Sequence, residues 1–161
     1  MKNITPFLWF DDQAEQAAKF YTSIFNNSKL GTVTRYTGGA AERTGRPSGS
    51  AMTVEFELQG QPFVGLNGGP MFKFTEAISF AVQCETQQEV DYYWEKLLQG
   101  GGKESQCGWL KDRYGLSWQV VPTEVIEMMK DKDPAKAARV MDAIMGMTKL
   151  DIATLKRAYA K

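Results

Sequence analysis

The stretch ITPFLWFDDQAEQAAKFYTSIF, Ile4–Phe25, decides the fold class of this chain. Its first part, Ile4–Phe10, is a short apolar run and predicts a strand. Small and aromatic residues then recur at helical spacing, which predicts a helix, and Asp11 or Asp12 can cap its first turn. Asn26–Ser28 ends this helix. A strand leading directly into an amphipathic helix predicts a mixed α and β unit.

Three more strands are predicted after the helix. Leu30–Thr37 is rich in β-branched and aromatic residues, and Met52–Leu58 alternates apolar with polar side chains, as half-buried strands do. Phe63–Leu66 follows a turn and completes a hairpin. The segment Gly38–Ser50 between these strands contains four glycines and a proline, which predicts a mobile loop.

The second half of the chain repeats this plan. Ala77–Cys84 predicts a strand, a helix begins at about Thr86, and two hairpin strands flank the turn Asp112–Gly115. A four-residue turn places Trp109 opposite Trp118. The pair Phe20-Tyr21 recurs as Tyr92-Tyr93, 72 residues later. We therefore predict an α+β fold of two βαβββ modules with curved mixed sheets, over residues 1–72 and 73–122.

The composition changes after Pro122. Residues 123–161 show helical spacing and no strand pattern, and predict an extension of three helices, 123–130, 134–145 and 151–159. Val140, Met141, Ile144 and Met145 form an apolar face, which is expected to pack on the protein's own sheet or on a second subunit. In the second case it offers a surface for a twofold contact between two copies of the chain.

The composition also excludes several classes of function. The chain has 161 residues and no histidine, so mechanisms that use histidine as a base or a metal ligand are excluded. Nineteen basic residues balance nineteen acidic ones, which argues against nucleic acid or a membrane as a partner. The only cysteines, Cys84 and Cys107, indicate a reducing compartment, and we expect a cytoplasmic protein.

Several motifs resemble a known family. These are the Ile4–Tyr21 segment, GLNGGP (Gly65–Pro70), FTEAISF (Phe74–Phe80) and QCGWLKDRYGLSWQVVP (Gln106–Pro122). They resemble the PhnB-like proteins of the vicinal oxygen chelate superfamily, which includes glyoxalase I, bleomycin-resistance proteins and extradiol dioxygenases. Many PhnB-like proteins carry the name 3-demethylubiquinone-9 3-methyltransferase. The resemblance implies a glyoxalase-like fold. Because modules of this superfamily tend to pair edge to edge, it also implies a homodimer, which we expect here.

In this superfamily, side chains in the concave face of the sheets usually bind a divalent metal. The resemblance places the ligand positions at Pro6, Gly65, Ala77 and Gln119, of which only Gln119 offers a donor atom. We therefore expect no metal and no other cofactor. The methyltransferase name has little support, because no glycine-rich loop for S-adenosylmethionine follows the first strand.

Two functions remain open. The first is a metal-independent protein that binds a small molecule; the second is an enzyme acting on a small organic substrate. In the second case Glu55 is the candidate general base, although a solvated strand face is the simpler explanation for this residue. By alternation, the residues predicted to line the concave face and bind a ligand are Leu8, Phe10, Phe63, Asn67, Ser79, Gln83, Ser117 and Gln119, together with Glu55.

Overall fold

The computed structural model describes residues 4–161. The chain forms two compact units, one ending at Lys73 and the other comprising Phe74–Lys161. Each unit contains one four-stranded sheet.

The first unit has the order of elements predicted for a βαβββ module, with one extra helix. Its strands hydrogen-bond in the order β1-β4-β3-β2; β1 and β4 are parallel, and the other neighbours are antiparallel. The elements are β1 (Phe7–Phe10), α1 (Ala14–Ile24), β2 (Lys29–Arg35), α2 (Gly38–Thr44), β3 (Ala51–Leu58) and β4 (Gln61–Asn67).

Helix α1 covers one face of this sheet. A Cβ atom added to Gly65 would lie 3.0 Å from the Cβ of Ala14, so Gly65 faces the helix. Leu8 is in register with Gly65, and Phe10 with Asn67. Since residues in register share a face, these side chains also point to the helix side. The other face, which carries Phe7, Val64 and Glu55, is the open face of the first sheet.

Two local predictions in this unit are wrong. Gly38–Ser50 is not entirely a loop, because Gly38–Thr44 forms helix α2, which buries Ala41 and ends at Gly45 in the left-handed conformation. The aspartates do not cap α1. Gln13 precedes the helix without a side-chain cap, and the backbone N–H of Ala14 donates to Oδ1 of Asn67 on β4 at 2.8 Å.

The second unit repeats the βαβββ order. Its strand order is β5-β8-β7-β6, in which β5 and β8 are parallel. The two-residue strand β6, which is too short to show a sequence pattern, was not predicted. The elements are β5 (Ser79–Cys84), α3 (Gln87–Leu98), β6 (Lys103–Glu104), β7 (Trp109–Lys111) and β8 (Ser117–Pro122).

The register of the β7–β8 hairpin differs from the prediction by one residue. Trp109 is opposite Gln119, and Trp118 is opposite Leu110. The cause is a loop of five residues rather than four, because the N–H of Asp112 donates to the carbonyl of Leu116 at 3.0 Å. The two tryptophans therefore point to opposite faces and form no cross-strand pair.

The C-terminal helices also belong to the second unit, and their presence confirms the helical extension. They are α4 (Thr123–Met129), α5 (Pro134–Met145) and α6 (Ile152–Ala160). The predicted apolar face of α5 is divided: Val140 is fully buried, whereas Met141 is 42% exposed and Met145 64% exposed. In the described part of the chain, no helix has the length and apolarity needed to cross a bilayer. The buried core of this extension comprises Val125, Met128, Val140, Leu150 and Leu155.

Candidate functional site

The open face of the first sheet carries a cavity of about 470 Å³. A row of side chains crosses three strands here, because Val64 on β4 is in register with Phe7 on β1 and with Glu55 on β3. This volume is within the range of small-molecule sites. The cavity is lined by Thr5, Phe7, Lys29, Gly31, Glu55, Phe56, Glu57, Pro62, Phe63 and Val64.

Glu55 is the carboxylate in the row of side chains that crosses this cavity. Its side chain is exposed, and Gly31 on the neighbouring strand leaves room for it. A Cβ atom on Gly31 would lie 3.0 Å from the Cβ of Glu55 and 3.1 Å from its carbonyl oxygen. Gly31 is not among the residues predicted from the sequence to line the site. A glycine inside a β-branched strand is a signal of close approach that could have identified it.

The other charged groups of the cavity form an ion pair. Lys29 Nζ lies 3.3 Å from Oε2 of Glu57, and the lysine side chain is 70% exposed. An exposed pair of this kind contributes little to stability. Among the described residues, no cation lies within ion-pair distance of Glu55. Its carboxylate can therefore accept hydrogen bonds from a ligand or take a proton from one.

Four of the predicted ligand-binding residues lie on the opposite face from Glu55. Leu8, Phe10, Phe63 and Asn67 are all buried on the side of α1, although Phe63 also borders the cavity. Asn67 uses both ends of its amide there, since Oδ1 accepts from Ala14 and Nδ2 donates to the carbonyl of Ala51 at 3.1 Å. Alternation along each strand identified two faces, and the structure places Glu55 on the other one. A ligand-binding role for them stays a prediction.

The predicted residues of the second unit do share one face of their sheet. Ser79 is in register with Ser117, and both point away from α3, as do Gln83 and Gln119. The side-chain amide Nε2 of Gln119 donates to Oγ of Ser79 at 2.9 Å. Ser117 also lines a second cavity, of about 210 Å³. Whether these residues bind a ligand likewise stays a prediction.

The donor atoms do not fit the metal that the superfamily resemblance implies. Gly65 faces helix α1, so the open face carries Val64 at this point of β4, and valine has no donor atom. Glu57 is paired with Lys29, which leaves Glu55 as the free carboxylate of the cavity. In residues 4–161 there is no group of three or more His, Cys, Asp or Glu side chains that could hold a metal ion. Transition metals in proteins need more donors than this.

Comparison with known proteins agrees with this fold. The sequence model of the 3-demethylubiquinone-9 3-methyltransferase family matches residues 2–121. A solved structure from Bacillus cereus, described as the PhnB protein and a putative 3-demethylubiquinone-9 3-methyltransferase, is 34% identical, with a TM-score of 0.66; the match covers 76% of this chain and 100% of that one. No curated protein matches the chain.

Fosfomycin resistance proteins share the fold alone. FosX from Mesorhizobium loti is 12% identical, with a TM-score of 0.56 over 81% of this chain and 98% of its own. FosX from Listeria monocytogenes, solved with Mn(II) and a sulfate ion, is 16% identical, with a TM-score of 0.54 over 80% and 95%. Since the family match spans most of the sequence, the chain belongs to the 3-demethylubiquinone-9 3-methyltransferase family, the PhnB-like proteins of the vicinal oxygen chelate superfamily.

Proposed function

We propose that this protein binds a small organic molecule on the open face of the first sheet, without a resident transition metal. The observation that carries the proposal is the cavity of about 470 Å³, in which the carboxylate of Glu55, unpaired among the described residues, lies in one row with the apolar side chains of Val64 and Phe7. An apolar lining with a few polar groups is typical of small-molecule sites. Membership of a superfamily that includes bleomycin-resistance proteins supports the same function.

The chemistry of the lining indicates a ligand with an apolar body and a cationic or hydrogen-bond-donating group. Phe7 and Val64 form the apolar part of the row of side chains. Glu55 lies at one end of this row, where its carboxylate can accept hydrogen bonds. Removing about 100 Å² of apolar surface from water contributes roughly 2.5 kcal/mol. An exposed charge pair adds up to about 1 kcal/mol. Together these contributions amount to about 3.5 kcal/mol at most, so a fragment-sized ligand should bind with a Kd of about 3 mM.

A pair of probes with opposite charge tests the proposal. Phenethylamine and 3-phenylpropionate have similar apolar bodies, and their binding can be followed by ligand-observed NMR. We expect the amine to bind, and Glu55→Gln to weaken its binding about fivefold. Glu95→Gln on α3 is the matched control and should bind the amine as the wild type does. An amine that does not bind, or that binds equally well to Glu55→Gln, would contradict the proposal.

Metal independence needs a separate measurement. Elemental analysis of dialysed protein should find less than stoichiometric zinc, manganese, nickel or iron, and treatment with EDTA should not change binding of the amine. Stoichiometric transition metal that survives dialysis and is lost in Gln119→Ala would show that the donor set has been read wrongly.

A second candidate function is an enzyme that acts on a small organic substrate. The observation that favours it is the same carboxylate, because Glu55 opens into the cavity where it can accept a proton from a bound substrate. The family name implies methyl transfer. Calorimetry with S-adenosylmethionine tests this directly: stoichiometric binding would favour the enzyme, and its turnover should then be lost in Glu55→Gln.

A further inference from the structure

A row of polar side chains crosses the sheet of the second unit on the face away from α3. Lys103 on β6 is in register with Lys111 on β7, and Lys111 with Ser117 on β8. These three residues line the cavity of about 210 Å³ together with Trp109, whose ring is half-buried. The row therefore brings two ammonium groups and a hydroxyl group to one small cavity.

Ser117 has an unused hydrogen-bonding group in this cavity. The residue is 1% exposed, and its Oγ is buried without a hydrogen-bond partner among the described residues. Burying a hydroxyl group without a partner costs free energy. A hydroxyl that can donate, next to two ammonium groups, is suited to an acceptor with negative charge.

The charges on this face are not balanced. Like charges directly opposite each other on neighbouring strands are destabilising, and this is the arrangement of Lys103 and Lys111. Glu76 on the preceding loop forms an ion pair with Lys111, and the hydrogen bond from Lys111 lowers the pKa of Glu76. The other carboxylate of the lining, Glu104, accepts a hydrogen bond from Nε1 of Trp94 on α3 at 2.9 Å. Among the described lining residues on this face, the carboxylate of Glu76 is therefore the only negative charge beside two lysines.

Glu76 shows what kind of group fits against Lys111. Its carboxylate already accepts a hydrogen bond from the lysine, yet its side chain is 64% exposed on a loop. An exposed ion pair of this kind is worth little, so an external carboxylate can replace it at low cost. The ring of Trp109 then offers a wall for an apolar or aromatic body.

We propose that this face of the second unit binds the carboxylate of a small organic acid, which replaces Glu76 at Lys111 and accepts hydrogen bonds from Lys103 and Ser117. The proposal goes beyond the function proposed above, because it concerns the other unit and a ligand of opposite charge.

Calorimetry on the full chain with indole-3-acetate tests this site. Tryptamine, which has the same ring and a cationic group, is the matched probe, and any binding of it should be weakened by Glu55→Gln but not by Lys103→Met. We expect indole-3-acetate to bind and Lys103→Met to weaken its binding about threefold. Ser117→Ala should weaken it about tenfold, since a hydrogen bond to a charged group is lost. It should not lower thermal stability, because the hydroxyl has no partner to lose.

The most discriminating variant is Glu76→Gln, which removes the competing carboxylate. We expect it to tighten binding of indole-3-acetate about threefold. Glu127→Gln is the matched control: it removes a carboxylate that is paired with Lys130 at 2.8 Å on α4, and it should leave binding unchanged.

Three results would overturn the proposal. The first is that indole-3-acetate does not bind, and the second is that Lys103→Met and Ser117→Ala both bind it as tightly as the wild type. The third is that inorganic phosphate displaces indole-3-acetate at the same concentration as acetate does, which would indicate a general anion site. Failure here is distinguishable from failure of the proposed function, because that function is tested with a cationic probe and Glu55→Gln.

Discussion

Asn67 shows how one buried side chain can connect several elements. Its amide caps helix α1 through Ala14 and binds the carbonyl of Ala51 on β3, and its own carbonyl accepts from the hydroxyl of Tyr36 at 2.7 Å. The residue is 4% exposed. These contacts give Asn67 a role in stability that does not depend on any ligand.

We predict that Asn67→Ala lowers the free energy of unfolding by about 2–4 kcal/mol, because a buried N–H and a buried carbonyl each lose their partner. Urea denaturation followed by circular dichroism measures this. Asn26→Ala, at an exposed position, is the control and should change stability by less than about 0.5 kcal/mol. A loss below about 1 kcal/mol for Asn67→Ala would contradict the prediction.

The two cysteines differ in reactivity for a physical reason. Burial raises the pKa of Cys84 to about 12, so the reactive thiolate is scarce at ordinary pH. We predict that iodoacetamide at pH 8.5 labels Cys107 alone in the native protein and both cysteines in urea, as measured by mass spectrometry. Cys107→Ser should remain unlabelled until it unfolds. Rapid labelling of Cys84 in the native state would show that its thiol is accessible.

Cys84 also contributes to the pH dependence of stability. Because its pKa is higher in the folded state than the ordinary value of 9.0, the folded protein holds this proton more tightly. Its contribution is complete below pH 9 and is lost as the pH rises from there through about 12. Protection of Cys84 from iodoacetamide should therefore decrease as the pH rises above 9.

At the scale of elements, Asp112 organises the β7–β8 hairpin. Oδ1 of its carboxylate accepts from the backbone N–H of Tyr114 at 2.8 Å and of Leu116 at 3.1 Å, and Oδ2 accepts from Nε1 of Trp118 at 2.9 Å. Asp112 is 3% exposed. These three bonds hold the five-residue loop that determines which residues of β7 and β8 pair.

We predict that Asp112→Asn lowers the free energy of unfolding by about 1–3 kcal/mol. The loop keeps an acceptor, but the amide places its own NH₂ group against either the indole N–H or the backbone N–H groups. Denaturation in urea measures the loss, and the red-shift of tryptophan fluorescence follows the surroundings of Trp118. Asp142→Asn, at an exposed position on α5, should have no effect. Equal stability of the two variants would mean that the carboxylate is replaceable.

At the scale of the whole molecule, each unit leaves large apolar side chains exposed. Phe7 is 64% exposed in the first unit, and Ile78 and Met145 are 70% and 64% exposed in the second. Apolar surface of this kind favours association when it is contiguous. It supports the homodimer that we expect from the sequence, which remains a prediction.

We predict that the protein sediments as a dimer of its 18.0 kDa chain at micromolar concentration. Met145→Glu should shift the equilibrium toward the single chain if α5 forms part of the contact, because the charge would have to be desolvated in the interface. Lys132→Glu, on the exposed loop before α5, is the control. An 18 kDa species alone in the wild type would refute the dimer.

Much of the fold was predictable because its signals are local. Alternation identified β3 and β5, helical spacing identified α1, α3 and the three C-terminal helices, and the recurrence of the aromatic pairs identified the repeat. Strand β6 and the helical character of Gly38–Thr44 were missed, since one is too short to show a period and the other begins with two glycines. The candidate site was harder to predict, because it depends on which face of each sheet is covered.

The sequence by itself therefore determined the order and type of most elements, the internal repeat and the exclusion of histidine chemistry. Only the tertiary structure decided that Leu8, Phe10, Phe63 and Asn67 face α1 while Glu55 faces the cavity. The physical reason is that side chains alternate with a period of two, so a shift of one residue exchanges the faces of a strand. The packing of α1 on Gly65, and the approach of Gly31 to Glu55, settle that choice through contacts between residues far apart in the chain.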